Sequence, residues 1–300
     1  MLLVNFSTAR HERRIGVQDN DSLVDLTALA AHAGVTIPQN LLEVVSTGDI
    51  DVLQRLLDSG EAADFTLPVA DVTLHAPFRP GKIIGVGLNY TEHVAESART
   101  LDTDKELPQR PVLFSKPGTA VVGPEEPIQH NADLTQQLDW ECELAVIIGK
   151  TAKNVAAQDA YDYVFGYSIV NDISARDQRR GGQWFFSKGQ DSYAPFGPAV
   201  RTRDSVTDPH DLDLSLRVNG EVKQKSNTSY MLFRIPELIA DITSGMTLEP
   251  GDVIATGSPA GVGASFTPQQ FLFPGDVVEC TVESIGTLRN PVIDARQEGR

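Results

Sequence analysis

The sequence has few cysteines and no long apolar run, and both absences limit what the protein can be. It contains only two cysteines, Cys142 and Cys280, which excludes a disulfide framework and a cysteine-based zinc cage. No stretch reaches the roughly 18 to 20 unbroken apolar residues of a membrane span. The first residues, MLLVNFSTARHERR, have too short an apolar part for a signal peptide, and their charges follow that part. We therefore expect a cytoplasmic protein with buried free thiols and no membrane partner.

The chain also lacks a dense basic run, and its formal net charge at pH 7 is −16. Phosphate binding relies on Lys and Arg, so we expect no nucleic-acid partner. The net charge still allows a small anionic substrate, because such a substrate responds to the local field of a pocket. An acidic protein would also help to retain a divalent cation.

Several catalytic motifs are missing. Gly85 and Gly87 lack the third glycine and the long helix of a dinucleotide site, and the stretch GSPAGVG lacks the Lys-Ser or Lys-Thr of a phosphate loop. The chain contains neither a GxSxG elbow nor HExxH. These absences disfavour a nucleotide site, a serine nucleophile and a zinc protease.

The length of 300 residues allows a large domain with a smaller companion. Residues 1–75 are predicted to form a small α/β domain. Its predicted elements are the strands LLVNF and RRIGVQ and helices over DSLVDLTALAAHAG and NLLEVVSTGDIDVLQRLLDSG. A proline-containing stretch then leads into residues 76–300, which are rich in strands. The predicted fold class is α+β, mostly β, and not a doubly wound sheet.

The second domain is predicted to contain short strands and few helices. Asn219-Gly220 between two alternating runs predicts a hairpin turn, and IPELIADITSGM predicts a helix with proline in its first turn. A shorter helix is expected near AAQDAYDYV. The predicted strands are KIIGVG, PVLFSK, ECELAVIIG, GYSIVND, DVIATG and VVECTVESIG.

One predicted strand carries three carboxylates among apolar residues. In LDWECELAVIIGK, residues 138–150, strand alternation places Asp139, Glu141 and Glu143 on one face and the apolar side chains on the other. Carboxylates two residues apart on a strand lie about 6 to 7 Å from each other, which is close enough to converge on one cation. This spacing alone also fits the solvated face of an edge strand, and both interpretations stay open.

Asp172 ends a second predicted strand and leads into a loop with three arginines. A carboxylate at such a position is typical of a functional site, although it could also cap the following turn. The three oxygen donors Glu141, Glu143 and Asp172 would suit a hard cation, Mg²⁺ or Mn²⁺, better than zinc.

His93 and Glu96 lie three residues apart after the LNY segment, so on a helix they share one face. The carboxylate could orient the imidazole as a general base, or the two residues could form an ordinary surface pair. Lys188 is open to the same two interpretations.

Taken together, the motifs resemble the fumarylacetoacetate hydrolase (FAH) family over roughly residues 80–286. The matching segments are GLNYTEHVAES, PVLFSKPGTAVVGP, LDWECELAVIIGK, VFGYSIVNDISARD, the VNGEV hairpin with TSYMLF, and LEPGDVIATGSPAGVG. The resemblance implies an FAH-type β-roll of mixed sheets that forms a homodimer. It also implies Mg²⁺ or Mn²⁺ held by Glu141, Glu143 and Asp172.

The resemblance further implies roles for individual side chains. His93 and Glu96 would activate water from a lid, and Lys188 would stabilise developing negative charge. The implied substrate-binding residues are Arg176, Gln178, Arg179, Thr228 and Ser258. Arg179 stands where the family often has glutamine.

The expected function is hydrolysis of a carbon–carbon bond in an acylpyruvate or diketo acid, with a metal-stabilised enolate as the leaving fragment. The same site could instead serve a decarboxylase, a hydratase or an isomerase of a small anionic 2-oxo acid, because these reactions share the enolate. A metal-stabilised binding protein without catalysis is the remaining alternative.

Overall fold

The computed structural model describes residues 1–9, 12–92 and 107–297 of the chain. The described helices are α1 (Leu26–Ala33), α2 (Leu41–Thr47), α3 (Ile50–Leu57), α4 (Phe185–Lys188) and α5 (Ile235–Gly245). The described strands are β1 (Leu2–Ser7), β2 (Arg13–Asp19), β3 (Ser22–Asp25), β4 (Thr66–Pro68), β5 (Thr73–His75), β6 (Lys82–Gly87), β7 (Val112–Pro117), β8 (Val121–Val122), β9 (Ile128–His130), β10 (Leu138–Asp139), β11 (Cys142–Ile148), β12 (Val164–Asn171), β13 (Ser174–Ala175), β14 (Ala194–Thr202), β15 (Asp213–Val218), β16 (Glu221–Asn227), β17 (Val253–Ala255), β18 (Val277–Val282) and β19 (Gly286–Asp294). None of the helices described here has both the length and the apolar character needed to cross a membrane.

The strands form mixed sheets, which confirms the prediction of an α+β, mostly β fold. The largest sheet has 12 strands and runs in the order β4-β3-β2-β1-β14-β12-β11-β17-β6-β7, with β5 beside β1 and β8 beside β14. A second sheet has five strands, β16-β15-β18-β19-β9, and β10 pairs with β13. Most neighbours are antiparallel, but β6 and β17 run parallel.

The N-terminal residues extend the largest sheet. Strand β1 pairs with β2 on one side and with β14 on the other. Leu29 of α1 and Val44 of α2 are buried in the same apolar cluster as Ala145 and Ile147 of β11. The N-terminal helices therefore cover one face of the central strands, and the domain boundary near residue 75 stays a prediction.

Two helix predictions in this region were too long. Ser22–Asp25 is a strand that pairs with β2, and α1 begins only at Leu26, where the Asp25 carboxylate accepts a hydrogen bond from the Ala28 N–H at 2.9 Å. The second predicted helix is divided because Gly48 has a φ of 71° and ends α2. The Asn219-Gly220 hairpin and helix α5 are as predicted.

Strand β11 is buried on both faces. Leu144 and Val146 face one apolar cluster, and Ala145 and Ile147 face the other. The strand lies between β12 and β17, so it has no free edge. The interpretation of its carboxylates as a solvated edge face is therefore wrong, and the predicted run is also broken between β10 and β11.

The sheet brings several chain segments together at one end. Cys142, at the start of β11, is directly opposite Asn171, at the end of β12. Strand β17 runs antiparallel to β11 and parallel to β6, so both β6 and β17 finish beside the start of β11. Residues that follow β6, β12 and β17 thus meet the residues that begin β11.

Candidate metal centre

Three buried carboxylates converge where these strand ends meet. Glu141 lies just before β11, Glu143 is in β11, and Asp172 follows β12. One carboxylate oxygen from each lies within 4.8 Å of the others. The Asp172 N–H donates to the Glu141 carbonyl at 2.8 Å, which fixes the two loops against each other. The three side chains that the sequence singled out as cation ligands are therefore close enough to share one ion.

Lys188 lies against this cluster at the end of α4. Its ammonium donates to Glu141 Oε2 at 2.9 Å, to the Asp172 carboxylate and to Ser174 Oγ at 2.8 Å. The side chain is only 3% exposed. Lys188 is thus a buried partner of two of the carboxylates and not a surface lysine.

Lys116 is a second buried lysine that the sequence analysis did not select. Its ammonium lies 2.6 Å from Asp172 Oδ1 and donates to the carbonyls of Ile173, Lys188 and Tyr193. Burial lowers the pKa of Lys116, and the charge of Asp172 opposes that effect. Local spacing in the predicted strand PVLFSK gives no signal for Lys116, because its partner Asp172 is far along the chain.

The charges of the cluster fit a bound cation. Within the described residues, the cluster contains four carboxylates and three cationic groups. The carboxylates are Asp139, Glu141, Glu143 and Asp172, and the cations are Lys116, Arg176 and Lys188. Desolvation and the charges of Asp172 and Glu141 raise the pKa of Glu143 well above its usual range. A bound divalent ion would favour the charged form of Glu143, and an all-oxygen donor set suits Mg²⁺ or Mn²⁺.

Asp139, the first carboxylate of the run, lies beside this set and has other partners. Its oxygens accept hydrogen bonds from the N–H groups of Gly263 and Ala264 at 2.6 and 3.0 Å and from Arg176 Nε at 2.8 Å. The same guanidinium donates through Nη2 to Glu141 Oε1 at 2.6 Å. Asp139 therefore anchors the arginine that orients Glu141.

The other predicted substrate residues lie at different distances from the cluster. Arg176 is committed to two carboxylates, so its contact with substrate stays a prediction. Ser258 is buried next to Gly257, whose N–H donates to Glu143 at 2.9 Å, and its hydroxyl accepts from Gln224 at 2.8 Å. It therefore lies at the edge of the cluster.

Two predicted substrate residues have partners elsewhere. The Thr228 hydroxyl accepts from the Leu212 N–H at 2.9 Å. The Gln178 amide donates to the Leu134 carbonyl and accepts from Arg180 at 3.2 Å. In the described part of the chain, no contact connects either side chain with the carboxylates. His93 and Glu96 lie outside the described residues, so their pairing stays a prediction.

Aromatic rings form a wall beside the cluster. Lys188 Nζ lies 4.7 Å from the Phe114 ring centroid, and the Phe114 and Trp184 centroids are 5.6 Å apart. Both rings pack directly on backbone: a Cβ at Gly85 would lie 2.1 Å from Phe114, and one at Gly87 would lie 2.5 Å from Trp184. The two glycines, which do not form a nucleotide motif, thus make room for these rings.

Comparison with known proteins then identifies the family. The family model for the C-terminal part of fumarylacetoacetate (FAA) hydrolase matches residues 82–293. The chain belongs to the fumarylacetoacetate hydrolase family. It is 42% identical to the oxaloacetate tautomerase YisK of Bacillus subtilis over 267 residues. The aligned region covers 86% of this chain and 87% of that protein.

Solved FAH-family structures share the fold. The fumarylacetoacetate hydrolase of Exiguobacterium antarcticum is 37% identical, with a TM-score of 0.82 over 98% of this chain and 100% of that one. The maleylpyruvate hydrolase of Sphingobium sp. SYK-6, in complex with manganese(II) and pyruvate, is 32% identical, with a TM-score of 0.79 over 98% and 99% of the two chains. These structures confirm the predicted FAH-type β-roll of mixed sheets. The chain is thus an FAH-family enzyme, and its three convergent carboxylates form a candidate site for a divalent metal.

Proposed function

We propose that this FAH-family enzyme is a divalent-metal-dependent isomerase that interconverts the enol and keto forms of a small 2-oxo acid, with oxaloacetate as the first substrate to test. The buried convergence of Glu141, Glu143 and Asp172 carries the proposal, because it provides a site for a cation that could stabilise an enolate. Similarity to an oxaloacetate tautomerase supports isomerisation over the hydrolysis that we first expected from the sequence.

The reaction needs only a proton transfer. In the direction from enol to ketone, the enol O–H bond breaks and a C–H bond forms at carbon 3, and water is not consumed. Glu141, Glu143 and Asp172 would hold Mg²⁺ or Mn²⁺, which when bound supplies a Lewis acid for the carboxylate and 2-oxo oxygens of the substrate.

The surrounding side chains would prepare the site for this charge. Lys188 contacts Glu141 and Asp172, so its ammonium would stabilise negative charge that develops on the substrate oxygen. Arg176 would keep Glu141 oriented, since it connects that carboxylate with Asp139. The Phe114 and Trp184 rings would limit access of water on one side.

The test follows the decay of the enol form of oxaloacetate by its ultraviolet absorbance. With Mg²⁺ or Mn²⁺, we expect the protein to accelerate that decay without forming pyruvate, and Glu143→Gln to abolish the acceleration. Glu249→Gln, which changes an exposed glutamate, should behave like the unaltered protein. Unchanged enol decay with every divalent ion would contradict the proposal.

Hydrolysis of an acylpyruvate is the second candidate. It is favoured by the sequence pair His93 and Glu96 and by similarity to a maleylpyruvate hydrolase. Incubation with a panel of acylpyruvates, with products identified by mass, distinguishes the two candidates. Pyruvate plus a free acid, lost in Glu96→Gln, would show hydrolysis, whereas carbon dioxide would indicate decarboxylation.

We also propose that the protein acts as a homodimer on a small anionic 2-oxo acid. The dimer and the cytoplasmic location stay predictions from the sequence. Gel filtration with light scattering would test the dimer directly.

A further inference from the structure

A second arginine, Arg179, stands beside the candidate metal centre. Arg179 follows the short helical turn that carries Arg176, and its guanidinium carbon lies 5.2 Å from the centre of the Trp184 ring. Among the described residues, no carboxylate lies within ion-pair distance of this guanidinium. Its position contrasts with that of Arg176, which binds both Asp139 and Glu141.

The local backbone holds Arg179 in this position. The Gln183 N–H donates to the Arg180 carbonyl at 3.1 Å across a tight turn, in which Gly181 and Gly182 have φ values of 59° and 77°. Such φ values suit glycine. The turn returns the chain so that Trp184, packed on Gly87, lies against Arg179. A planar guanidinium on an aromatic ring keeps its in-plane N–H donors available for a carboxylate.

Arg179 is also within electrostatic reach of the cluster. Desolvation and then the charge of Arg176 lower its pKa, while the carboxylates of Glu141, Asp139 and Asp172 oppose that shift. The guanidinium is therefore partly removed from water, and within residues 107–297 no ion pair holds it. The Trp184 ring that it contacts is 5.6 Å from the Phe114 ring, which is 4.7 Å from Lys188 Nζ, so the guanidinium lies beside the cluster. A cation in such an environment binds an anion more strongly than one on the open surface.

We infer that Arg179 is a specificity-determining residue that binds the second carboxylate of a dicarboxylic 2-oxo acid. The inference rests on the proposed function, because one end of the substrate must be held at the metal centre for the other to reach Arg179. A neutral side chain at position 179 would carry no charge to select a dicarboxylate. The positive charge of Arg179 thus predicts a preference for substrates such as oxaloacetate over monocarboxylates.

The experiment compares oxaloacetate with its 4-monoethyl ester, which lacks the second negative charge. Enol–keto interconversion and calorimetric dissociation constants are measured for the unaltered protein, Arg179→Gln and Arg180→Gln. Arg180 is the matched control, because its guanidinium lies 3.9 Å from the ring of the partly exposed Phe186 and has no contact with the cluster.

We expect Arg179→Gln to raise KM and the dissociation constant for oxaloacetate by about tenfold or more, since a charge-assisted pair is lost, with kcat changed much less. Its values for the ester should be unchanged, and Arg180→Gln should match the unaltered protein with both compounds. Arg179→Lys should recover part of the preference.

Two other results would overturn the inference. If the unaltered protein binds the ester as tightly as oxaloacetate, the site does not recognise the charge of the second carboxylate. An equal loss for both compounds in Arg179→Gln would assign Arg179 to folding or to the chemical step. Failure of the proposed function is separable, because a protein that binds oxaloacetate without converting it would still show the charge preference in its dissociation constants.

Discussion

Asp139, Glu141 and Glu143 lie two residues apart, yet each has different partners. Asp139 is bound by Arg176 and by three backbone N–H groups, whereas Glu141 is shared between Arg176 and Lys188. Glu143 accepts a hydrogen bond from the Gly257 N–H at 2.9 Å. Alternation predicted that the three share one face. Which of them anchors an arginine and which lie at the candidate cation site depends on contacts with distant residues.

Replacement of Glu143 provides the first prediction. Glu143→Gln keeps the size of the side chain but removes a negatively charged oxygen ligand. Loss of a residue that only holds a ligand in place typically lowers metal affinity by about 10- to 100-fold. Loss of Glu143 itself should lower the affinity for Mn²⁺ by more than that. Titration calorimetry measures the change, with Glu249→Gln as the control. Equal affinity in Glu143→Gln and in the unaltered protein would exclude Glu143 as a ligand.

The raised pKa of Glu143 provides a second prediction. A carboxylate with a raised pKa holds its proton to higher pH, and a divalent cation must displace that proton. Metal affinity should therefore rise as the pH increases through the pKa of Glu143, and binding below it should release a proton. Calorimetry in buffers of different ionisation enthalpy measures the release. Affinity that is independent of pH would contradict this linkage.

At the scale of elements, the candidate site forms where β11, β12 and β17 meet at one end of the largest sheet. Strands β11, β12 and β17 were recognised from their apolar patterns, and the hairpin from Asn219-Gly220. Strand β3 was missed because its four residues are continuous with an amphipathic helix pattern. The pairing that places Asp172 beside Glu141 could not be predicted from local pattern, since register depends on packing across the sheet.

The packing of β6 under the aromatic wall is testable. Gly85→Ala should lower the free energy of unfolding by about 1 to 3 kcal/mol, because the new Cβ would lie 2.1 Å from the Phe114 ring, which also contacts Trp184 and Lys188. Chemical denaturation measures the difference.

Gly245→Ala is the control for this substitution. A Cβ at this position in α5 meets no atom within 4 Å, so alanine should leave stability equal or raise it by about 0.5 to 1 kcal/mol. Equal free energies of unfolding for the Gly85 and Gly245 variants would contradict this prediction, because the Phe114 ring would then move aside at no cost.

At the scale of the whole molecule, the sequence predicted the family, the mixed β fold and the three converging carboxylates. It did not predict Lys116, whose partner Asp172 is far along the chain, or the role of Asp139 as an anchor. Both depend on burial of charge in the folded protein, where each carboxylate must be paired or bound to a metal. Local spacing contains no information about which pairing is chosen.

Metal binding should stabilise the whole protein. An ion that binds only the folded chain stabilises it by about 2.7 kcal/mol at 100 times its dissociation constant. Excess Mg²⁺ or Mn²⁺ should therefore raise the melting temperature by about 4 to 8 °C over protein in chelator. Differential scanning calorimetry measures this, and a melting temperature unaffected by chelator would disagree.

A crystal structure of the protein with Mn²⁺, with anomalous scattering recorded at the manganese edge, tests the central claim most directly. We predict one strong peak in coordination contact with Glu141, Glu143 and Asp172, and loss of that peak in Glu143→Gln. A manganese peak at another position would contradict the account. So would the absence of any peak at millimolar Mn²⁺ in a protein that remains active in chelator.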